Sequence, residues 1–191
     1  SPGASINFDE NLQSAEVLYS MIVDIIEAGF PIASNGDFEA VSEVSKHVKN
    51  STIAGLARAS FKDIDRAWEA VQHAKSPRIH TFIATSPLHM KYKLKKTEEE
   101  VLEAIQKTVS HARNLCDNIE WSCEDGGRSE LEFLYKCIEL AINSGASTIN
   151  IPDTVGYTLP EEFGKIFKNV KNNVPNIDLS LIHISEPTRR I

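Results

Sequence analysis

The sequence predicts an α/β protein built as an incomplete (β/α)8 TIM barrel. Short apolar, β-branched runs alternate with longer amphipathic segments, a pattern that requires a parallel sheet with right-handed crossovers. Polar residues follow the ends of several runs, where barrel enzymes build their sites. An open doubly wound sheet is the alternative. The turn after the first run has no GxGxxG or Walker pattern, so its nucleotide-binding version is disfavoured.

Six apolar runs fit buried strands by their length and flanking residues, two fewer than a closed barrel needs. These runs are residues 24–30, 51–57, 78–84, 118–124, 147–152 and 177–182. Helical patterns cover residues 8–22, 37–48, 61–74, 97–116, 129–144 and 160–173. Local signals mark the ends of these helices. Ser60 and Thr97 occupy N-cap positions, Glu100 completes a capping box after Thr97, and Gly145 is a C-cap signal.

Composition limits the class of protein. The chain has 191 residues, with 20 Lys and Arg against 27 Asp and Glu, and its net charge of -7 disfavours a nucleic-acid partner. No apolar run approaches the roughly 20 residues that cross a bilayer, and no signal peptide is visible. Three cysteines are too few and too irregularly spaced for a disulfide framework or a closed zinc site. We therefore expect a reduced cytoplasmic protein that contacts no membrane.

Strand parity predicts which side chains share the barrel interior, because successive side chains point to opposite faces. In the third run, Ile79 and Ile83 should meet the helices, so His80 points inward. In the fourth run, the same parity groups Glu120 with Ser122 and Glu124. The side chains expected to converge on one polar interior are Glu27, His80, Ser122, Glu124, Asn150 and Thr154.

Each candidate also has a purely structural interpretation. A single histidine on a strand is more often a hydrogen-bonded structural residue than a catalytic one, and this applies to His80. Glu27 could pair with a lysine or arginine inside the barrel, and Asn150 and Ser122 could satisfy each other. The lysine-rich stretch 91–96 is more often a solvated face than a phosphate contact. Convergence of several such groups in one interior favours the functional interpretation over the structural one.

Four stretches of sequence carry a family resemblance. They are EAGFP and SNGDFE within 27–39, RIHTFIATSP at 78–87, SCEDGGR at 122–128 and TINIPDTVG at 148–156. In this order they resemble the 2-isopropylmalate synthase family, from Ser1 to about Ile182. Homocitrate and citramalate synthases are close relatives and remain alternatives, as does a hydroxymethylglutaryl-CoA-lyase-like barrel enzyme. The GFP and SNGDFE stretch favours the isopropylmalate member.

The resemblance implies a Claisen-type condensation of acetyl-CoA with 3-methyl-2-oxobutanoate, in leucine biosynthesis, assisted by Mn²⁺ or Mg²⁺. It places His80, Ser122 and Thr154 in the pocket for the 2-oxo acid. It also places Leu56 against the branched side chain of that substrate. Glu124 is the implied residue for moving protons near the acetyl methyl group. A homodimer is expected for the full-length enzyme.

The family's metal-binding motifs are not among the matching stretches. One is an Asp-Thr-Thr-Leu-Arg-Asp-Gly string on the first strand, and the other is a His-x-His motif after the seventh. His183 is not in register with either histidine of that motif. We therefore expect a partial barrel over residues 1–182, a non-matching tail over 183–191 and no metal ligand in this chain. On this interpretation the chain alone is inactive, and a product without enzymatic activity remains a further hypothesis.

Overall fold

The sheet of the protein has six parallel strands in the computed structural model, which describes residues 24–125, 129–152 and 160–185. The strands are β1 (Ile25–Gly29), β2 (Thr52–Arg58), β3 (Pro77–Ile83), β4 (Ile119–Cys123), β5 (Thr148–Pro152) and β6 (Leu181–Ser185). They lie side by side in chain order, from β1 to β6. A doubly wound sheet would reverse this order at a switch point, whereas a (β/α) barrel keeps it. The predicted incomplete barrel is confirmed.

Five main helices follow the strands, one after each of β1 to β5. They are α1 (Asn35–His47), α2 (Phe61–Val71), α3 (Glu98–Leu115), α4 (Leu131–Ser144) and α5 (Pro160–Asn173). Between β3 and α3 the chain also forms a one-turn helix, Pro87–His89, and a wide π-type turn, Met90–Leu94. No helix in the described ranges has the length and apolar character to span a bilayer. The predicted helix 8–22 lies outside the described residues.

The predicted helix caps are formed. The Ser60 hydroxyl accepts a hydrogen bond from the Asp63 N–H at 3.2 Å, and Thr97 and Glu100 form the reciprocal capping box. Gly145 ends α4 with φ at 126°, and a Cβ at this position would lie 2.7 Å from the Arg113 side chain. Glycine is therefore required at this helix end both by its backbone conformation and by the close approach of α3.

Helix α1 begins two residues earlier than predicted. The dipeptide Asn35-Gly36 is typical of a turn, which agrees with a helix that starts at residue 37, but both residues belong to the first helical turn. Ser34 precedes them in an extended conformation, and its hydroxyl accepts the Asp37 N–H at 3.0 Å. A serine cap followed by an aspartate in the first turn thus outweighs the turn preference of Asn-Gly.

The last predicted strand, 177–182, is wrong in its first half. Ile177–Leu179 is a 3-10 turn, and β6 starts only at Leu181, whose N–H donates to the Ser147 carbonyl at 3.0 Å. Ile177 is 4% exposed and packs in the core, so its apolar character reflects burial beneath α4 and not strand pairing. The predicted boundary at residue 182 falls within β6. The mismatch of residues 183–191 stays a prediction.

The two faces of the sheet differ in chemistry. The face toward the helices carries fully buried isoleucines, Ile53, Ile79, Ile119 and Ile149. Cys123 joins them with 0% exposure in the main core, as its parity predicts. The opposite face, which would line the barrel, carries charged and polar side chains. Strand parity therefore separates a helix-packed hydrophobic core from a polar interior.

Candidate functional site

His80 is the centre of the polar face. Its ring lies on β3, 6% exposed, and reaches three side chains on two other strands. Nδ1 is 2.5 Å from Glu27 Oε1, while Nε2 is 2.5 Å from Ser122 Oγ and 3.0 Å from Glu120 Oε2. The predicted inward direction of His80, Glu27 and Ser122 is confirmed. These contacts join β1, β3 and β4 through one imidazole.

A buried ion pair extends this cluster. Arg78 precedes His80 by two residues and therefore shares its face. Its Nη1 donates to Glu120 Oε1 at 2.9 Å, and its Nε donates to Asn118 Oδ1 at 3.0 Å. The side chains of Arg78 and Glu120 are only 9% and 12% exposed. Glu120 thus lies between a guanidinium and an imidazole. Glu27 contacts His80 at the other ring nitrogen.

Glu124 lies apart from this cluster in its described contacts. Strand β4 ends at Cys123, so strand parity no longer fixes the direction of the next side chain. The Glu124 N–H donates to the Ile83 carbonyl at 2.9 Å, and this bond holds the residue at the C-terminal end of β3. Its carboxylate accepts a hydrogen bond from Lys93 Nζ at 2.9 Å and is 28% exposed. Its role toward substrate stays a prediction.

The structure gives the positions of two further predicted residues. Leu56 is the register partner of His80 on β2 and is partly buried on the same face. Asn150 is the register partner of Ser122 on β5. Thr154 lies outside the described residues. The described part of the chain thus brings Leu56, His80 and Ser122 together on adjacent strands.

A second polar cluster joins the ends of β3 and β4. The Asp125 carboxylate, 2% exposed, accepts the N–H groups of Thr85 and Ser86 at 2.8 Å and 3.1 Å. It also accepts from the Ser86 hydroxyl and contacts His89 Nδ1. Burial raises the pKa of Asp125, but the hydrogen bonds from Ser86, Thr85 and His89 outweigh it, and the pKa lies below its ordinary value.

The first cluster is also a possible metal-holding group. Glu27, His80 and Glu120 offer ligand atoms within 4.8 Å of one another, a donor set that suits a first-row divalent ion. The two carboxylates, however, contact different ring nitrogens of His80, and Glu120 already forms an ion pair with Arg78. An imidazole normally gives one nitrogen to an ion. These hydrogen bonds would have to rearrange around a metal, so we assign no catalytic step to it.

Sequence reasoning missed three members of these clusters. Arg78 and Glu120 lie two residues before His80 and Ser122 and share their faces. Parity groups Glu120 with Ser122, but neither Arg78 nor Glu120 is among the side chains expected to converge on one polar interior. Asp125 has no comparable signal, because it lies in a loop whose direction periodicity does not describe. A buried carboxylate in a loop can be recognised only when the conformation of the loop that it contacts is known.

The strands are parallel and lie in chain order, the interior face of the sheet is polar, and polar clusters lie at the carboxyl ends of the strands. These features define a protein of the (β/α)-barrel class. The chain belongs to the HMGL-like family, which it matches over residues 1–185. Solved structures agree with the fold. Hydroxymethylglutaryl-CoA lyase from Brucella melitensis has a TM-score of 0.62 at 18% identity, over 92% of this chain and 73% of that chain. The lyase from Bacillus subtilis has a TM-score of 0.60 at 18% identity, over 84% and 55%.

Curated relatives are much more similar in sequence. The 2-isopropylmalate synthase of Rhodopseudomonas palustris strain BisA53 is 58% identical over 183 residues, 96% of this chain. The 2-isopropylmalate synthase of Caulobacter vibrioides is 57% identical over 181 residues, 95% of this chain. The chain spans about a third of the length of these relatives, 35% and 34% respectively.

Proposed function

We propose that this chain is part of the catalytic barrel of a 2-isopropylmalate synthase. The observation that carries the proposal is the 58% identity to a relative of that name across 96% of the chain. The inner-face group of His80, Ser122 and Leu56 supports it, because it offers hydrogen-bonding atoms beside an aliphatic side chain. A branched 2-oxo acid presents the complementary chemistry, with polar oxygens at one end and an isopropyl group at the other.

The proposed reaction forms one carbon–carbon bond. A base removes a proton from the methyl group of acetyl-CoA, and the resulting carbanion attacks the ketone carbon of 3-methyl-2-oxobutanoate. The ketone oxygen gains a proton and becomes a hydroxyl group. Water then cleaves the thioester, which yields 2-isopropylmalate and the free thiol of coenzyme A. In cells this step belongs to leucine biosynthesis, and we propose a cytoplasmic homodimer for the complete protein.

The residues have distinct proposed roles. His80 and Ser122 hold the oxygens of the 2-oxo acid, since their hydrogen-bonding atoms face the barrel interior. Leu56 and Thr154 complete this pocket, with Leu56 against the isopropyl group. Glu124 moves the proton at the acetyl methyl carbon, because its partly exposed carboxylate lies at the C-terminal end of the strands, where substrates enter a barrel.

A divalent ion, Mn²⁺ or Mg²⁺, would polarise the ketone of the 2-oxo acid when bound. Among the described residues, Glu27, His80 and Glu120 form the possible metal-holding group, with the conflict of hydrogen bonds given above. His80 therefore has two competing proposed partners, an ion and the substrate. A metal titration followed by the His80 ring resonances distinguishes them, because an ion on one nitrogen must displace Glu27 or Glu120 from that nitrogen.

A hybrid enzyme tests the proposed function. The matching segment of the Rhodopseudomonas palustris relative is replaced by residues 24–182 of this chain, so that the relative keeps its own sequence after that point. We expect thiol release from acetyl-CoA that requires both 3-methyl-2-oxobutanoate and a divalent ion, with 2-isopropylmalate as product by mass spectrometry. Glu124→Gln in this hybrid should lower kcat by about 10²- to 10⁴-fold. The 191-residue chain, assayed beside it, tests whether the chain is inactive alone.

Other substrates separate the remaining candidates. Faster thiol release with pyruvate or 2-oxoglutarate would favour a citramalate or a homocitrate synthase. Cleavage of hydroxymethylglutaryl-CoA without condensation would favour a lyase. A hybrid that folds but releases no thiol with any 2-oxo acid would contradict the proposal, because residues 24–182 would then lack the pocket that we assign to them.

A further inference from the structure

Two adjacent residues at the end of β4 hold the two ends of one segment. We call residues 85–93 the β3 loop segment. It begins at the second residue after the end of β3. Asp125 binds the start of this segment through Thr85, Ser86 and His89. Glu124 binds its far end through Lys93, at 2.9 Å. Both ends of the segment are thus held at the end of β4, the first by Asp125 and the last by Glu124.

The two contacts differ in burial. The Asp125 carboxylate is 2% exposed and satisfied by backbone and side-chain donors. The Lys93 and Glu124 side chains are 54% and 28% exposed. An exposed ion pair alone is weak, because solvent screens it and two flexible side chains must be ordered. The direction in which Lys93 reaches Glu124 therefore depends on how firmly the rest of the segment is held.

The backbone of the segment has an unusual course. Residues Met90–Leu94 form a wide π-type turn, closed by Lys95 in a left-handed conformation with φ at 54°. A non-glycine residue with this φ is uncommon, and single wide turns occur often near functional sites. The Lys96 N–H donates to the Met90 carbonyl at 3.0 Å and closes this turn. The turn places Lys93 beside Glu124.

The geometry points to Asp125 as a positioning residue that holds the β3 loop segment so that Lys93 orients the Glu124 carboxylate. The inference rests on the proposed function, in which Glu124 moves the proton at the acetyl methyl group. Asp125 does not touch substrate in this scheme. It acts through Ser86 and His89 at one end of the segment and through Lys93 at the other. General-base catalysis requires such orientation, because a small displacement of the reacting group is costly.

Hydrogen exchange on the whole 191-residue chain tests the structural half. Asp125→Asn removes the negative charge that strengthens the two N–H bonds to Oδ1, and it should speed exchange of the Thr85 and Ser86 amides by about tenfold or more. Exchange in α2 should not change. Asp117→Asn is the matched control, because Asp117 is an exposed aspartate at the opposite end of β4. Ser86→Ala removes one donor to Asp125 and the N-cap acceptor of the His89 N–H. Asp125 keeps its charge, so the effect at the same amides should be smaller, and the test remains decisive if Asp125→Asn does not fold. Unchanged Thr85 and Ser86 amides in both variants would overturn the inference.

Kinetics in the hybrid enzyme test the positioning half. Asp125→Asn should lower kcat by about 10- to 100-fold, with the KM for the 2-oxo acid within about threefold. Lys93→Gln should lower kcat less. The double variant should be no slower than Asp125→Asn, because both residues act through one segment. A double variant whose kcat falls by the product of the two single losses would refute positioning through Lys93. A normal kcat for Asp125→Asn would also refute it. An inactive unsubstituted hybrid would refute the proposed function alone, since the exchange experiment on the chain does not depend on activity.

Discussion

The inner and outer faces of the sheet use the same six strands for opposite purposes. On β3, Ile79 and Ile83 face the helices and are 0% and 4% exposed. Between them, His80 faces the interior and contacts two carboxylates and a hydroxyl. The outer face is stabilised by removal of apolar surface from water, which is non-directional. The inner face depends on directed contacts between charged groups, which tolerate little displacement.

Substitutions on the two faces should therefore differ in their effect on stability. An apolar side chain on the outer face can be shortened with a graded loss, because its neighbours relax into part of the space. A charged side chain on the inner face cannot be removed alone without leaving its partner buried and unpaired.

Removal of Arg78 should cause the largest loss of stability. Its guanidinium pairs with Glu120, and both side chains are nearly buried. Arg78→Leu should lower the free energy of unfolding by about 3–5 kcal/mol, because Glu120 keeps a buried charge without its guanidinium. Urea unfolding of the 191-residue chain measures this value.

The double variant Arg78→Leu with Glu120→Leu is the control for that experiment. It removes both charges, so it should be more stable than Arg78→Leu alone. A double variant less stable than either single variant would mean that the inner face resembles the outer one, with packing and not charge as the main contribution.

Parity made most of this comparison predictable from the sequence. The alternation in residues 78–84 was enough to place Ile79 outside and His80 inside. It failed where the strand ended, since Glu124 lies one residue beyond β4 and turns to Lys93. It also failed at Ile177, whose apolar side chain is buried by a 3-10 turn under α4. Periodicity describes side chains only while the backbone remains regular.

Asp125 provides an intermediate case, a buried carboxylate held mainly by hydrogen bonds. Its pKa lies below the ordinary value, because the Ser86, Thr85 and His89 hydrogen bonds outweigh the effect of burial. A lowered folded-state pKa adds stability that is present above the unfolded pKa of about 4 and is lost as pH falls through the folded pKa. Asp125→Asn should therefore cost about 1.5–3 kcal/mol at pH 7, as expected for hydrogen bonds to a charged group.

The pH series separates this effect from simple loss of packing. Below pH 4, the unsubstituted chain should lose the contribution of the carboxylate, and its stability should approach that of Asp125→Asn. Unfolding by urea at pH 7, 5, 4 and 3 measures the difference between the two chains. A difference that stays constant across this range would show that the charge of Asp125 is not its source.

The smallest expected effect belongs to the outer face. Ile79→Val removes one methylene from a side chain that is 0% exposed and packed in the main core. We expect a loss of about 0.5–1.5 kcal/mol, the usual cost of this substitution at buried sites. Ile25→Val is the matched control, because Ile25 lies on β1, the first strand of the described sheet, and is 44% exposed, so little apolar contact is lost. The two variants have the same chemical change on the same type of element, and urea unfolding should separate them by the burial of one methylene. Equal losses would contradict the assignment of Ile79 to the helix-packed face, since a buried methylene should contribute more to stability than an exposed one. A loss at Ile79 as large as that of Arg78→Leu would remove the distinction between graded packing and paired charge on which the comparison of the two faces rests.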